Sequence, residues 1–378
     1  MRTLVIFSDP EQPKVDEVGG KAHSLIRMTQ AGLPVPPGAV LTTSFFAPWF
    51  DDIKARSPWR ALAHTSVEEW PTLCEELQRL CSAILLASQQ RHVLEQCRQA
   101  LAKAPDPQSF AVRSSSPEED MASTSFAGGY DTRLGVGLAD LEGALRGCFA
   151  SSFGERVLVY KRARGFDVLS PRLAVVIQQQ ISSDVAGVGF SLNPLTNDYD
   201  EAVIDACWGL GEPIVSGRVS PDHFIVDKVS RRVIERRLGT KRTSSWLDPA
   251  GGTLERVDHR ASEFSLNDAQ LAEITDLVCR IESLYRQPTD IEWAWADGRF
   301  HVLQARPITT YVPLPPELVT RPGERRRLYL DAALADGLTC HETGAVALTP
   351  GQPGSDKTPT GSGQHVQSCA ILARRLRR

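Results

Sequence analysis

The chain has 378 residues, which is long enough for two or three lobes that each bury a sizeable core. Its 42% hydrophobic and 23% charged residues are typical of a soluble globular protein, and a net charge of -4 without a basic stripe argues against a nucleic-acid binder. No apolar run approaches a membrane span, the N-terminal apolar run is too short for a signal peptide, and the eight cysteines lack Cys-x-x-Cys spacing. We therefore expect a cytoplasmic protein with reduced thiols, no membrane partner, and neither a zinc site nor disulfides.

The first part of the chain alternates helix and strand signals. Residues 18–28 predict a helix that opens on Gly19-Gly20-Lys21 and ends before Gly32. Another helix is expected after Thr42-Thr43-Ser44, because these hydroxyl side chains suit an N-cap. Apolar spacing predicts further elements: mostly helix over 68–103 and 140–164, and short strands over 110–113 and 130–136.

The next part is richer in strand signals. Residues 173–181 form a near-continuous apolar run, which predicts a strand buried on both faces. Residues 267–285 predict a capped amphipathic helix that leads into a hairpin at 290–307. Strands are also predicted at 187–191, 202–206 and 223–226.

The predicted hairpin carries polar side chains at alternate positions. Asp290 and Glu292 lie two residues apart on its first strand, and Gln304 and Arg306 lie two apart on its second, so each pair shares a face. Carboxylate and amide oxygens beside a guanidinium are suited to Mg²⁺ and phosphate. The alternative is a solvated hairpin face with an exposed ion pair.

The register of this hairpin decides which side chains meet. A two-residue turn at Asp297-Gly298 is expected to place Glu292 and Gln304 on opposite faces. A three-residue loop over 296–298, or a bulge there, sets Asp290 opposite Gln304 and makes Glu292 the diagonal neighbour. Only this odd-numbered connection brings the four side chains together, so we predict it.

Three other segments bear on the hairpin. Gly19-Gly20-Lys21 departs from a Walker A loop, but a lysine at a helix start can still contact phosphate, the alternative being a solvated lysine. Arg113 with the following serines, and the small-residue loop 123–129, can close backbone amides over an anion, the alternative being a flexible surface loop. Trp208-Gly209-Leu210-Gly211-Glu212 forms a glycine-rich turn that could serve architecture alone.

Taken in order, these segments resemble the N-terminal ATP-binding domain of the dikinase family, which includes phosphoenolpyruvate synthase, pyruvate phosphate dikinase and rifampicin phosphotransferase. Each marker is weak alone, but nine in the right order are specific, and they extend from about residue 18 to residue 309. The markers are Val18-Gly19-Gly20-Lys21, Pro36-Pro37-Gly38 with Thr42-Thr43, Val112-Arg113-Ser114-Ser115, Ser125-Phe126-Ala127-Gly128, Asn193-Pro194, Gly209-Leu210-Gly211-Glu212, Val219-Ser220-Pro221-Asp222, Asp290-Ile291-Glu292 and Leu303-Gln304-Ala305-Arg306-Pro307.

The resemblance implies an α+β, ATP-grasp fold in which two lobes clasp a nucleotide. We expect an N-terminal lobe over 1–180 and a C-terminal lobe with the metal-site hairpin over 181–311. A linker with the truncated start of a further domain is expected over 312–348, and a disordered tail, rich in Gly, Pro, Ser and Thr, over 349–378.

The resemblance also implies residue roles, with ATP and Mg²⁺ as ligands. Lys21 and Arg113 contact the phosphates, and Arg306 reaches the transferring phosphoryl group, so these three are the candidate catalytic residues. The remaining roles are a covering loop that includes Ser125, Gly128 and Gly129, Mg²⁺ coordination by Glu292 and Gln304, and adenine recognition by backbone groups of Gln180 and Ile181. Gly129 departs from the family, in which many relatives carry Gln, and this puts one polar contact in doubt.

A second departure is the phosphate acceptor. In the family the ATP domain phosphorylates a histidine on a swivelling domain, within a Thr-Ser-His-x-Ala-Ile-x-Ala-Arg stretch. Residues 368–374 are similar, but Cys369 stands near the place of the histidine, so we interpret the C-terminus as truncated, frameshifted or split. His341 and His365 lack the surrounding motif.

Three hypotheses follow from these departures. The first is a phosphotransferase that uses a histidine on another domain or polypeptide, en route to pyruvate or a rifampicin-like acceptor. The second is an inactive ATP-binding remnant. The third is an ATP-grasp carboxylate ligase, which the marker order disfavours.

Overall fold

The computed structural model describes residues 2–104, 109–118 and 131–313, which form a mixed assembly of helices and sheets. The strands are β1 (Leu4–Ile6), β2 (Gly38–Leu41), β3 (Phe110–Ser115), β4 (Thr132–Val136), β5 (Ala174–Gln179), β6 (Val185–Phe190), β7 (Glu201–Trp208), β8 (Asp222–Asp227), β9 (Val233–Arg237), β10 (Thr243–Leu247), β11 (Thr253–Val257), β12 (Thr289–Ala296) and β13 (Arg299–Pro307). The helices are α1 (Val15–Gln30), α2 (Thr43–Lys54), α3 (Ser57–Leu62), α4 (Trp70–Ala83), α5 (Ser88–Leu101), α6 (Leu141–Ser151), α7 (Glu155–Ala163), α8 (Glu212–Val215) and α9 (Asp268–Tyr285).

The first sheet has five strands in the order β1-β2-β5-β3-β4. Its central strand β5 is buried at every position, because the sheet is covered on both faces, as its continuous apolar sequence predicts. One face packs against helices α2 to α7 in a core that contains Phe46, Trp49, Phe149 and Phe153. The opposite face packs against α1.

The second sheet has six strands in the order β13-β12-β6-β7-β8-β9, and hairpin β10–β11 forms a separate two-stranded sheet. Helix α9 covers one face of the six-stranded sheet through Ile274, Val278 and Ile281. The other face carries the polar side chains of β12 and β13, because the apolar residues Ile291 and Trp293 of β12 point toward the core.

Helix α1 lies between the two sheets. Its Val18, Ala22 and Leu25 belong to the same apolar core as residues of both sheets. The hydroxyl of Ser24 on α1 donates to the Ala305 carbonyl of β13 at 2.8 Å. The helix therefore connects the N-terminal half of the chain to the hairpin, and a lobe boundary at residue 180 stays a prediction.

Most predicted elements have counterparts in the structure, with different bounds. Each of the two long helical regions is divided, at 84–87 and at 152–154, so that consecutive helices can pack around one core. Asn267 caps α9 by accepting from the Gln270 N–H at 2.9 Å, as predicted. Thr42 precedes α2, but its hydroxyl donates to the Arg2 carbonyl at 2.6 Å instead of capping the helix. Strands β1, β2, β9, β10 and β11 were missed, because they are short and β9 to β11 are polar.

Candidate active site

The hairpin β12–β13 differs from its predicted register. Its turn has two residues, Asp297 and Gly298, with φ of +51° and +73°, as expected for a type I′ turn. A bulge between Glu292 and Trp293 then shifts the pairing by one residue. The prediction of a three-residue connection at 296–298 was therefore wrong, since the extra residue lies within the ladder.

This bulge brings Glu292 and Gln304 onto the same face. Glu292 pairs directly with Gln304, and Asp290 pairs with Arg306 and not with Gln304 as predicted. Since directly opposed residues share a face, all four side chains point to one side of the sheet. The four side chains therefore share one face as predicted, but the cross-strand pairs differ from the predicted ones.

The charged groups of this face are close to one another. Arg306 Nη2 lies 3.5 Å from Glu292 Oε1, and Arg113 Nη1 lies 3.9 Å from Glu292 Oε2. With its amide oxygen turned toward Arg306, Gln304 accepts from Arg306 Nε at 2.9 Å and from Nη2 at 3.1 Å. Arg113 Nη1 also donates to the Leu303 carbonyl at 3.2 Å. Glu292 therefore lies between two guanidinium groups, but its ion pairs to them are long.

Asp290 is the second, half-buried carboxylate of the group. Burial raises its pKa to about 6, although the Arg306 guanidinium opposes this effect. Its Oδ1 is buried and has no hydrogen-bond partner among the described residues. This carboxyl group does not line the cavity described below.

Lys21 reaches the site because α1 is interrupted at Gly19. Gly19 has φ of +77°, and a Cβ there would lie 2.3 Å from the Ser115 carbonyl oxygen, so the close approach of α1 to β3 requires glycine. After this break, the Ala22 N–H donates to Ser115 Oγ at 3.1 Å. The Lys21 ammonium donates to the Ser114 carbonyl at 2.8 Å and is largely buried.

A cavity of about 310 Å³ is lined by residues of both sheets. Seven of the predicted site residues line this cavity: Lys21, Arg113, Gln180, Ile181, Glu292, Gln304 and Arg306. The predicted covering-loop residues Ser125, Gly128 and Gly129 lie outside the described residues. The sequence reasoning missed other lining residues, among them Thr132, Leu134, Ser183, Val215 and Trp293.

The glycine-rich turn after β7 also lines the cavity, through Leu210, Gly211 and Glu212. Gly209 has φ of +75°, and a Cβ there would lie 2.2 Å from the Ser245 carbonyl oxygen. The glycine-rich motif therefore indicated a turn that lies at the cavity, although its sequence alone did not distinguish a binding role from an architectural one.

Gln180 and Ile181 lie in the connection between the sheets. The Gln180 N–H donates to the Ser109 carbonyl at 2.9 Å, so this donor is already used within the protein. The Gln180 carbonyl and the backbone groups of Ile181 therefore remain the candidates for contact with a nucleotide.

A larger cavity, of about 760 Å³, lies elsewhere, against α4, α6 and α7. It contains none of the predicted site residues, and its lining mixes Arg79, Arg133 and Arg156 with Glu75 and Glu155. Such a lining selects no particular charge of ligand. The smaller cavity is therefore the candidate site, because cations and oxygen donors from distant parts of the chain meet there.

The chain belongs to the family described as pyruvate phosphate dikinase, AMP/ATP-binding domain, whose sequence model matches residues 15–315. A probable phosphoenolpyruvate synthase of Methanocaldococcus jannaschii is 34% identical over 82% of this chain and 27% of its own length. Prodigiosin synthesizing transferase PigC of Serratia marcescens is 34% identical over 92% of this chain and 38% of its own length. Rifampicin phosphotransferase of Streptomyces sviceus is 34% identical over 83% of this chain and 36% of its own length.

The chain thus spans about a quarter to two fifths of the length of these relatives, within the range of 27% to 38%. The match includes every predicted site residue, from Lys21 to Arg306. Within the described ranges, no helix has both the length and the apolar character needed to cross a membrane.

Proposed function

We propose that this chain has an ATP-grasp fold, binds Mg-ATP in the 310 Å³ cavity between its two sheets, and transfers a phosphoryl group to a histidine on another domain or polypeptide. The observation that carries the proposal is the convergence of Lys21, Arg113 and Arg306 with Glu292 and Gln304. Membership of an AMP/ATP-binding domain family supports the nucleotide, and the relatives' names support pyruvate or a rifampicin-like compound as the final acceptor.

The three cations are suited to a phosphate chain. Lys21 and Arg113 approach from the five-stranded sheet side, whereas Arg306 lies on β13 of the six-stranded sheet. Arg113 Nε is buried and has no partner among the described residues, so a phosphate oxygen can satisfy it. Cations placed around a migrating phosphoryl group stabilise the charge that shifts between oxygens during transfer.

Glu292 and Gln304 provide the oxygen donors that Mg²⁺ prefers. Among the described residues, the Glu292 carboxylate is held only by ion pairs of 3.5 and 3.9 Å, so its lone pairs remain available. The Gln304 amide oxygen accepts two hydrogen bonds from Arg306, and because it has two lone pairs, binding a metal would replace one of these hydrogen bonds. When bound, Mg²⁺ neutralises phosphate charge at this wall.

The other part of the cavity is suited to a purine ring. Leu134, Ile181, Leu210 and Val215 contribute apolar surface, and the Gln180 carbonyl can accept from an exocyclic amine. We assign adenine to this part, because the cations that would hold the phosphates lie along α1, β3 and β13.

In the proposed step, the bond between the β-phosphorus of ATP and the oxygen that bridges it to the α-phosphate breaks, and a bond forms between that phosphorus and an imidazole nitrogen. AMP would leave with the bridging oxygen, Arg306 would contact the transferred group, and the γ-phosphate would be released to water as inorganic phosphate. The protein supplies position and charge, since phosphoryl transfer needs little covalent chemistry from it.

Nucleotide binding tests the site. Affinity for ATP should be measured by calorimetry with and without Mg²⁺ in the parent and in Glu292→Ala and Gln304→Ala. Each variant is expected to bind Mg-ATP at least tenfold more weakly, which corresponds to about 1.4 kcal/mol, because one metal ligand is lost. Glu263→Ala and Gln89→Ala are matched controls, since both side chains are exposed and neither residue lines the cavity.

The outcomes separate binding from transfer. Undetectable Mg-ATP binding by the parent, or unchanged affinity in both site variants, would refute the site assignment. To test transfer, a separately expressed histidine domain of a relative is added with ATP, and AMP release is measured. ATP binding without AMP release would favour the inactive-remnant hypothesis.

A further inference from the structure

Hairpin β10–β11, residues 243–257, connects two walls of the candidate cavity, and we call it the strap. In the described part of the chain it belongs to neither large sheet. Its base meets the turn after β7, and its tip meets β4 of the five-stranded sheet. Since Leu134 on β4 and Leu210 after β7 both line the cavity, the strap joins walls that belong to different sheets.

The base of the strap is attached by several contacts. The Leu210 N–H donates to the Ser245 carbonyl at 2.7 Å. The Arg260 guanidinium, which follows the strap, lies 4.0 Å from the ring centroid of Trp208 and 5.8 Å from that of Trp246. The strap is thereby held to the end of β7 by both backbone and side-chain contacts.

An ion-pair bridge adds to this attachment. Arg218 contacts both Glu255 on β11 and Glu212, which lines the cavity. All three side chains are substantially exposed, so this bridge contributes less than the backbone contact. The base nevertheless has contacts of three kinds.

The tip is attached differently. The Gly252 N–H donates to the Gly135 carbonyl of β4 at 3.1 Å. The two backbones approach so closely that a Cβ on Gly135 would lie 2.4 Å from the nitrogen and oxygen of Gly252. Gly135 and Gly252 have φ of +68° and +78°, which favours glycine at both positions.

We propose that the strap gates nucleotide exchange: its tip separates from β4 at the Gly135–Gly252 contact while its base stays on the turn after β7. This inference rests on the proposed function, since it concerns access to the same cavity. The tip opens first because a backbone hydrogen bond is its attachment, whereas the base has several. Release of the tip lets the wall that contains Leu134 move away from the wall that contains Leu210.

Alanine substitutions distinguish loss of the Gly135–Gly252 contact from the backbone strain that alanine causes at any positive φ. Gly135→Ala places a methyl group against Gly252, whereas Gly165→Ala meets open space at a similar φ of +73° and is the matched control. Asp248→Ala is a second disrupting variant, because Asp248 Oδ1 accepts from the Ala250 N–H at 2.9 Å within the tip and this bond is lost. The measurements are the dissociation rate of a fluorescent ATP analogue with Mg²⁺, by stopped flow, and hydrogen exchange at the Gly252 amide.

Gly135→Ala is expected to remove the exchange protection of Gly252 and to raise the dissociation rate about fivefold, as the loss of one backbone hydrogen bond implies. Asp248→Ala should lower the exchange protection and raise the dissociation rate by smaller amounts, and Gly165→Ala should leave both quantities unchanged. Retained protection in Gly135→Ala, or dissociation rates equal to that of Gly165→Ala in both disrupting variants, overturns the gate. A parent that binds no nucleotide refutes the proposed function instead, and the exchange measurement then still decides whether the contact holds.

Discussion

Two acidic clusters lie on the same six-stranded sheet and differ in how fully their oxygens are bonded. At the start of β8, one oxygen of the fully buried Asp222 accepts from the Gly239 N–H at 2.9 Å and from the Lys241 ammonium. The other accepts from the Ser265 N–H at 2.8 Å and from its hydroxyl at 2.7 Å. Both oxygens of Asp222 are therefore hydrogen-bonded within the protein.

The cluster on β12 is under-bonded by comparison. Asp290 Oδ1 is buried without a partner among the described residues, and Glu292 has only long contacts to Arg113 and Arg306. Buried polar groups are normally hydrogen-bonded, so an under-bonded group is a candidate for ligand binding. Bonding capacity left unused, and not burial or charge alone, therefore distinguishes the candidate site from a structural ion pair.

The largest effect is expected for Lys241→Ala. This change leaves the Asp222 carboxylate buried without its cation, and the free energy of unfolding should fall by about 3–5 kcal/mol. Urea denaturation measures it, with Arg242→Ala, an exposed neighbour, as the control. A loss below about 1 kcal/mol would break the comparison, because the satisfied cluster would then not be stabilising.

A smaller effect of opposite sign is expected for Asp290→Asn at neutral pH without divalent cations. Because the folded-state pKa of Asp290 is raised from 3.8 to about 6, the folded chain retains a proton that the unfolded chain loses, and stability falls as pH rises through this window. Each pKa unit corresponds to about 1.4 kcal/mol, so the variant should gain at most about 3 kcal/mol at pH 7 and almost nothing near pH 4.

Denaturation of parent and variant across this pH range measures the difference, and Asp51→Asn, on an exposed position of α2, is the control. A gain that does not depend on pH would show that burial of the Asp290 charge is not its cause.

The smallest effect on stability is expected for Glu292→Gln. Its ion pairs are long, so the free energy of unfolding should change by less than about 1 kcal/mol. In the same samples, Mg-ATP affinity should fall, because an amide is a weaker metal ligand than a carboxylate. A large loss of stability together with unchanged Mg-ATP affinity would show that Glu292, like Asp222, stabilises the fold and does not bind the ligand.

Much of the site was predictable from residue types and order. The glycines before Lys21, the serines after Arg113 and the alternation in the hairpin each indicated phosphate or metal chemistry. All seven described residues that were assigned a ligand-binding role line the cavity, whereas Asp290 of the hairpin does not. The apolar lining was not predictable, since Leu134 and Val215 have no local signal that distinguishes them from core residues. The contacts of the strap with both walls of the cavity were also not predictable, because β10 and β11 are short and polar.

The sequence by itself determined that Asp290 and Glu292 share one face of a strand, and that Gln304 and Arg306 share one face of the next, because side chains alternate with a period of two. Only the tertiary structure decided that these faces coincide. A bulge between Glu292 and Trp293 shifts the register set by the two-residue turn, while the pairing of β12 with β6 continues through it. The turn residues predict the register beside the turn and not an interruption further along the ladder, so no local pattern contains this shift.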